Sequence, residues 1–244
     1  VRLYFDYNHN ANTAYLGGCL LYKDTFGQSY TYDEDGNVKN PFWANVWRVY
    51  GLGEVGVLVG TIFTNVKSGD FPEDLQYVYG MDFGFTHDPT AIVRVLADTG
   101  RKIAYVDQRC YRTGMLNSDI ARTLAEEDIP RHVHIWADAA EPKSIAEIGR
   151  DTGLNVRACD KSAPVTSSRL TFQLQWMQGW RLCVTKQSVD LIKELRNYTW
   201  AKDRDGNMVN QPIDTWNHAM DAMRYALWSE LSTNKGNYNI RFNR

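Results

Sequence analysis

The chain has 244 residues, 43% of them apolar and 13% aromatic, with a formal net charge of −2. That length can bury one substantial core, and the composition excludes a disordered chain. The near-neutral balance excludes a uniformly basic nucleic-acid coat but leaves room for a local basic groove, and positive charge is concentrated between residues 141 and 204. Cys19, Cys110, Cys159 and Cys183 form no CxxC pair and have no zinc-like spacing with histidine, so they read as reduced thiols of a cytosolic protein. "VRLYFDYNHN" lacks the pattern of a secretory leader, and the longest apolar run, "VGVLVGTIF", is too short to span a bilayer. A soluble intracellular protein is expected.

Residues 1–75 are rich in Tyr, Asn, Gly and Asp, carry the turn "DEDGN", and show no long helical period. They read as an irregular accessory segment. From residue 76 the pattern changes. "YVYGMDFG", "TAIVRVLAD" and "KIAYVDQRC" are β-rich runs with short connections, Asp98–Gly100 forming a tight turn, and they predict an antiparallel meander. "LNSDIARTLAEEDI" predicts a helix capped by Asn117 or Ser118. "HVHIWAD" returns as a strand, "AEPKSIAEIGRDTG" as a helix with Pro142 in its first turn and Gly153 at its end, and "LNVRACD" as a further strand. Strand, helix, strand spacing implies a parallel pair added to the meander. "SSRLTFQLQWMQG" and "SVDLIKELRNY" read as helices around the strand "RLCVTK", and a last helix covers about residues 213–232. The fold class is α/β, a mixed sheet flanked by helices: residues 1–75 accessory, 76–232 the main domain, 233–244 a tail.

Three acids occupy comparable places. Asp82 ends the first meander strand, Asp138 ends the fourth strand, and Asp221 lies on the last helix. An acid at a strand's C-terminal end projects toward the crevice where open α/β sheets place their sites. Each also has a plain explanation, as a solvated loop residue or, for Asp138, as a neighbour of the positive N-terminus of the helix at Pro142. On the last helix, 100° per residue puts Asp214, His218, Asp221 and Tyr225 on one face, and Trp216, Met220, Met223, Leu227 and Leu231 on the other. The first face is either functional or a wet surface with an i, i+3 hydrogen bond. Converging carboxylates repel unless neutralised, so a cluster assembled from distant positions calls for a cation; oxygen donors suit Mg²⁺ or Mn²⁺, and an imidazole favours Mn²⁺.

"YGMDFGFTHDPTAIVRV", "IWADAAEPKSI" and "NQPIDTWNHAMDAMRYA" together resemble the nuclease domain of large terminase subunits of tailed bacteriophages, over about residues 79–227 and with the motifs in the family's order. "FWANVWRVYGLGEVGVLVGTIFTN" resembles the stretch preceding that domain. The resemblance implies an RNase H-like fold and an endonuclease that cuts concatemeric double-stranded viral DNA with two divalent cations, Mg²⁺ or Mn²⁺. It implies Asp82, Asp138 and Asp221 as catalytic metal ligands and His218 as a further ligand or close neighbour, with Asp88 also part of the family pattern, as a residue behind them or simply the turn into the second strand. Asp214, from its place on the helix face, reads either as a residue behind them or as a helix cap. Implied partners are double-stranded DNA, a terminase ATPase domain, a small terminase subunit and a portal, in the cytoplasm of a bacterial host.

The chain has no GxxxxGK[ST] phosphate loop, so it is expected to be an excised domain or a separate nuclease, not the complete motor. Where the family commonly has Lys-Gly, this sequence has Lys161 followed by Ser162. Asp205-Gly206 predicts a hairpin with Lys202 and Arg204 at its tip. Lys143, Lys161, Arg169, Lys202 and Arg204 are the candidate phosphate contacts. The alternatives are another RNase H-like nuclease such as a resolvase, and a non-catalytic module docking the packaging machinery onto a portal.

Overall fold

The computed structural model describes residues 5–8, 13–16, 19–20, 60–161, 169–203 and 208–233. The chain divides into two units, Val1–Thr61 and Ile62–Arg244. In the first, β1 (Phe5–Asn8), β2 (Thr13–Leu16) and β3 (Cys19–Leu20) pair antiparallel in that order. The rest of the stretch likened to the family's pre-nuclease segment, up to residue 59, and the turn "DEDGN" lie outside the described residues.

The second unit is built on a seven-stranded sheet. Its first strand, β4 (Val66–Ser68), lies before residue 76; three residues with two exposed side chains carry no readable period. The predicted meander follows as β5 (Val78–Asp82), β6 (Thr90–Asp98) and β7 (Ile103–Arg112), paired antiparallel. The Asp98 carboxylate closes the β6–β7 turn by accepting from the Arg101 N–H at 3.0 Å. A bulge opposite Ile92–Val93 leaves Arg109 out of the ladder and free to reach Glu127 at 2.6 Å and Asp107 at 2.9 Å.

α1 (Asn117–Glu126) starts at least one residue earlier than expected: Leu116, not Asn117 or Ser118, is the cap, its N–H donating to Asp119 at 3.1 Å, while the Asn117 side chain donates to Glu147 at 2.7 Å. β8 (His134–Ala137) adds parallel to β5. α2 (Pro142–Thr152) begins at its proline and ends at Gly153, whose φ of 68° is the left-handed conformation glycine tolerates. β9 (Asn155–Ala158) then adds parallel to β8. α3 (Arg169–Gln178), β10 (Arg181–Val184) and α4 (Val189–Asn197) follow, β10 lying parallel to both β7 and β4. β11 (Trp200–Lys202) and β12 (Met208–Pro212) are the two arms of the predicted hairpin. α5 (His218–Thr233) closes the described chain. The sheet order is β4-β10-β7-β6-β5-β8-β9.

Both faces of the sheet are covered. Ala91, Val93 and Val95 of β6 face a core shared with α3, α4 and α5, and Ile92 faces one built with Ile120, Leu124 and Ile148 of α1 and α2. This explains why "TAIVRVLAD" reads as a continuous apolar run and not as an alternation. α5 lies against β5, β6 and β8, and its residues 222–227 are all buried, so its second face is packed where solvent was one of the expectations. Cys110, Cys159 and Cys183 are free thiols, and none of the described helices is long and apolar enough to cross a membrane.

Candidate functional site

Asp82 is the last residue of β5, and Asp138 follows the last residue of β8. The parallel register pairs Met81 with Ala137, so the next residue on each strand leaves the sheet beside its neighbour. The Asp138 N–H fastens this arrangement by donating to the Met81 carbonyl at 3.1 Å. Two carboxylates far apart in sequence thus share one sheet edge because two strands end together.

α5 supplies the third side. It crosses β5 at Gly80, where a Cβ would overlap the carbonyl oxygen of Ala222. Only glycine permits that approach. It carries His218 to Asp82, with 3.4 Å between Nδ1 and Oδ2. The other ring nitrogen lies 3.5 Å from Asp88 Oδ1, so one imidazole bridges two carboxylates.

Asp88 reaches that position through a closed loop. Gly84 lies against the backbones of Asp88 and Pro89 with no room for a side chain. The Thr90 hydroxyl clamps it, donating to the Gly84 carbonyl at 2.8 Å and accepting from its N–H at 3.3 Å. The Asp-Pro pair marks a turn into β6, and that turn delivers the carboxylate.

The other two acids face basic groups. Asp221 Oδ1 accepts from Arg224 Nη2 at 2.9 Å and Nε at 3.1 Å, while Arg224 Nη1 donates to Gln173 at 2.6 Å. Arg224 is only 6% exposed, so this cation is a fixture of the packed interior. Asp138 is ion-paired with Lys161 and also accepts from the Ala140 N–H at 3.1 Å.

These groups act on one another electrostatically. Burial pushes the Asp82 carboxyl up to about 6; His218 pulls it down, and the charges of Asp221 and Asp138 raise it further. Burial also raises Asp221, opposed by Arg224 and reinforced by Asp138. The hydrogen bond to Asp82 raises His218. Tyr225, buried beside Trp136 and Cys159, is raised by burial and then by the same three acids.

Three contributors escaped the sequence analysis. Glu194 of α4 is 1% exposed and accepts hydrogen bonds from Tyr111 at 2.8 Å, the His218 N–H at 3.1 Å and the Met220 N–H at 2.9 Å. It satisfies the open N–H groups of the first turn of α5 and opposes the positive end of the helix dipole. The available signal was an acid inside the apolar stripe of Leu191 and Leu195, with no partner nearby in sequence. Arg224 was legible as the i+3 neighbour of Asp221, whereas Gln173 had no readable signal.

Asp214 is corrected. Ile213 donates its N–H to Thr199 at 3.0 Å, which continues the hairpin, so the helix begins at His218 and Asp214 is exposed in the preceding bend. Trp216 is likewise not on the core side of α5, and is 37% exposed. Lys143 is exposed in the first turn of α2, Arg169 at the start of α3 and Lys202 at the end of β11; Arg204 lies outside the described residues.

Oxygen-rich donors with one imidazole match the chemistry of Mg²⁺ or Mn²⁺. Among the described residues, however, no three His, Cys, Asp or Glu side chains are close enough together to hold one ion. Asp138 and Asp221 are instead ion-paired with Lys161 and Arg224.

A sheet of this order with acids at the ends of β5 and β8 and on the helix across them defines an RNase H-like domain. Residues 82–228 match the terminase RNAseH like domain, and the chain belongs to that family. The PBSX phage terminase large subunit of Bacillus subtilis (strain 168) is 31% identical over 148 residues, 61% of this chain and 33% of that protein. The terminase large subunit of Bacillus phage SPP1 is 26% identical over 157 residues, 62% of this chain and 36% of that one. The chain spans about a third of the length of these relatives. Among solved structures, the large terminase nuclease domain of bacteriophage SPP1 with bound Mn superposes with a TM-score of 0.60 at 22% identity, covering 69% of this chain and 98% of that one. The P22 large terminase nuclease domain gives 0.52 at 14% identity, covering 71% and 93%. These share its fold.

Proposed function

We propose that this chain is a divalent-metal-dependent endonuclease that cuts concatemeric double-stranded viral DNA into genome lengths during packaging. The observation that carries the reading is the pairing of Met81 with Ala137, which sets Asp82 and Asp138 side by side, with His218 of α5 against Asp82. Membership of the terminase family and the Mn bound by the SPP1 nuclease domain of the same fold support it.

In this reading Asp82, Asp138, Asp221 and His218 hold two ions, Mg²⁺ or Mn²⁺, and Asp88 steadies the imidazole from its far side. Such ions supply activation of water and neutralisation of the leaving oxygen in phosphodiester hydrolysis. The protein's own residues do the rest. Asp82 and Asp221 accept positive charge in a dry setting, Arg224 keeps Asp221 oriented, Glu194 fixes the first turn of α5, and Lys161 stands beside Asp138 as a cation for a phosphate. The packaging ATPase domain, small terminase subunit and portal are its partners, in the cytoplasm of a bacterial host.

Purified protein is expected to nick and then linearise supercoiled plasmid with Mn²⁺ or Mg²⁺, with little sequence preference, and EDTA is expected to stop it. Asp138→Ala and Asp221→Ala should each abolish cutting. Asp138→Ala should retain the fold because its partner Lys161 can be solvated, whereas Asp221→Ala also leaves Arg224 buried without its carboxylate and should lower the melting temperature. Agarose-gel conversion of the plasmid measures this; undiminished cleavage by Asp138→Ala refutes the assignment.

A further inference from the structure

Trp216 is out of place for its residue type. Its φ of 62° is a left-handed conformation that a bulky non-glycine residue rarely adopts, and its ring is 37% exposed. Neither backbone comfort nor burial accounts for it. Two residues later the chain enters α5 at His218, so the strained turn sits at the edge of the acid cluster.

The indole does not stand alone. Lys193 Nζ lies 5.0 Å from its ring centroid. Lys193 and Arg196 are exposed on α4, three residues apart and therefore on one face, with Val189 one turn before them at 64% exposure. Asp190, the acid on the preceding turn, is already engaged by the Gln108 side chain at 2.8 Å. The next residue, Glu194, points inward and binds the His218 N–H at 3.1 Å. α4 therefore joins the two surfaces: its inner side secures the start of α5, and its outer side offers two cations and an aromatic plane.

A polyanion brought to an acid cluster is repelled by it, so cations beside the cluster must hold the flanking phosphates. Lys and Arg supply that attraction without sequence preference, and an aromatic face adds contact with sugar or base edges that any sequence presents. We propose that Trp216, Lys193 and Arg196 form a grip for duplex DNA next to the cutting centre, with Lys193 and Arg196 on phosphates and the Trp216 indole against a deoxyribose in the groove. This rests on the nuclease reading of the centre.

The test is fluorescence anisotropy of the whole chain with a labelled duplex of roughly three helical turns, in Ca²⁺, over a series of salt concentrations, with thermal melts of each variant. Lys193→Ala and Arg196→Ala are each expected to weaken binding and to reduce the slope of log affinity against log salt by about 0.9. Trp216→Ala is expected to lose roughly fivefold or more in affinity with the slope unchanged, and Trp216→Phe to restore most of it. Trp216→Gly is expected to bind weakly while melting at or above the wild-type temperature, because glycine relaxes the turn; a structural role would lower that temperature instead. Variants that bind duplex as wild type does, or a wild type that does not bind duplex, overturn the proposal. Wild type that binds through these residues but never cuts plasmid upholds the grip and refutes the nuclease reading. Wild type that cuts while the variants bind unchanged does the reverse.

Discussion

Asp82→Asn is expected to reduce metal-dependent plasmid cleavage by at least ~100-fold and, at the same time, to make the metal-free protein more stable at neutral pH. The stability half follows from the carboxyl's surroundings. Its value is about 6 in the folded protein against 3.8 as the reference, because burial disfavours its charge and Asp221 and Asp138 add to the effect. The folded state therefore holds this proton to higher pH than the unfolded state, and stability falls as pH rises from about 4 to 6. Above that window the buried charge is a full liability, on the order of 2–3 kcal/mol if no cation is present. Asparagine keeps the shape and discards the charge. Urea unfolding in EDTA at pH 7.5 should show the variant more stable, and at pH 4 the gap should close; equal midpoints at both pH values would contradict the account. Saturating Mn²⁺ should reverse the order at pH 7.5, since wild type gains binding energy that the variant lacks.

Gly80→Val is expected to destabilise the protein by about 3 kcal/mol or more, the upper end of what overpacking costs because the neighbour is backbone, and to abolish cutting. The obstacle is the backbone of α5, since even the first side-chain atom would overlap the Ala222 carbonyl and crowd Ala226 Cβ at 3.0 Å. Relief requires moving the whole helix, and with it His218 and Asp221. Gly100→Ala is the matched control. There an added Cβ would meet only the Asp98 carboxylate at 3.5 Å, an ordinary contact, and the change should stay within about 0.5 kcal/mol. Chemical denaturation of the two variants measures the contrast, and similar midpoints would show that α5 does not depend on the close approach at Gly80.

Much of this was legible because it was local. The meander follows from three β-rich runs and short turns, and the parallel additions follow from strand, helix, strand spacing. Pro142 and Gly153 bounded α2 because proline and glycine act through their own backbones. Asp82, Asp138 and Asp221 were recognisable by their positions at element ends and by three family-like motifs. What could not be read depended on contacts between distant segments. The cap of α5 is Glu194, twenty-four positions before His218, and no local pattern joins them. The true start of α5 depends on Ile213 bonding to Thr199 and on the left-handed turn at Trp216, so a helical period running from residue 213 misplaced Asp214 and Trp216. The pairing of Asp138 with Lys161 similarly arises from the end of one strand meeting a residue three positions past the end of another, β9. Charge and its place at the family's Lys-Gly position suggested a phosphate contact for that lysine, and the fold gives it a carboxylate first.

The central claim is that these acids and the imidazole form a metal-dependent cutting centre. Its most direct test is anomalous diffraction from crystals soaked in Mn²⁺. The account predicts anomalous density between Asp82 and Asp138, within coordination reach of both and of His218 or Asp221, with Lys161 displaced from Asp138. Well-diffracting soaked crystals with no anomalous density there, and with Lys161 still on Asp138, would contradict it.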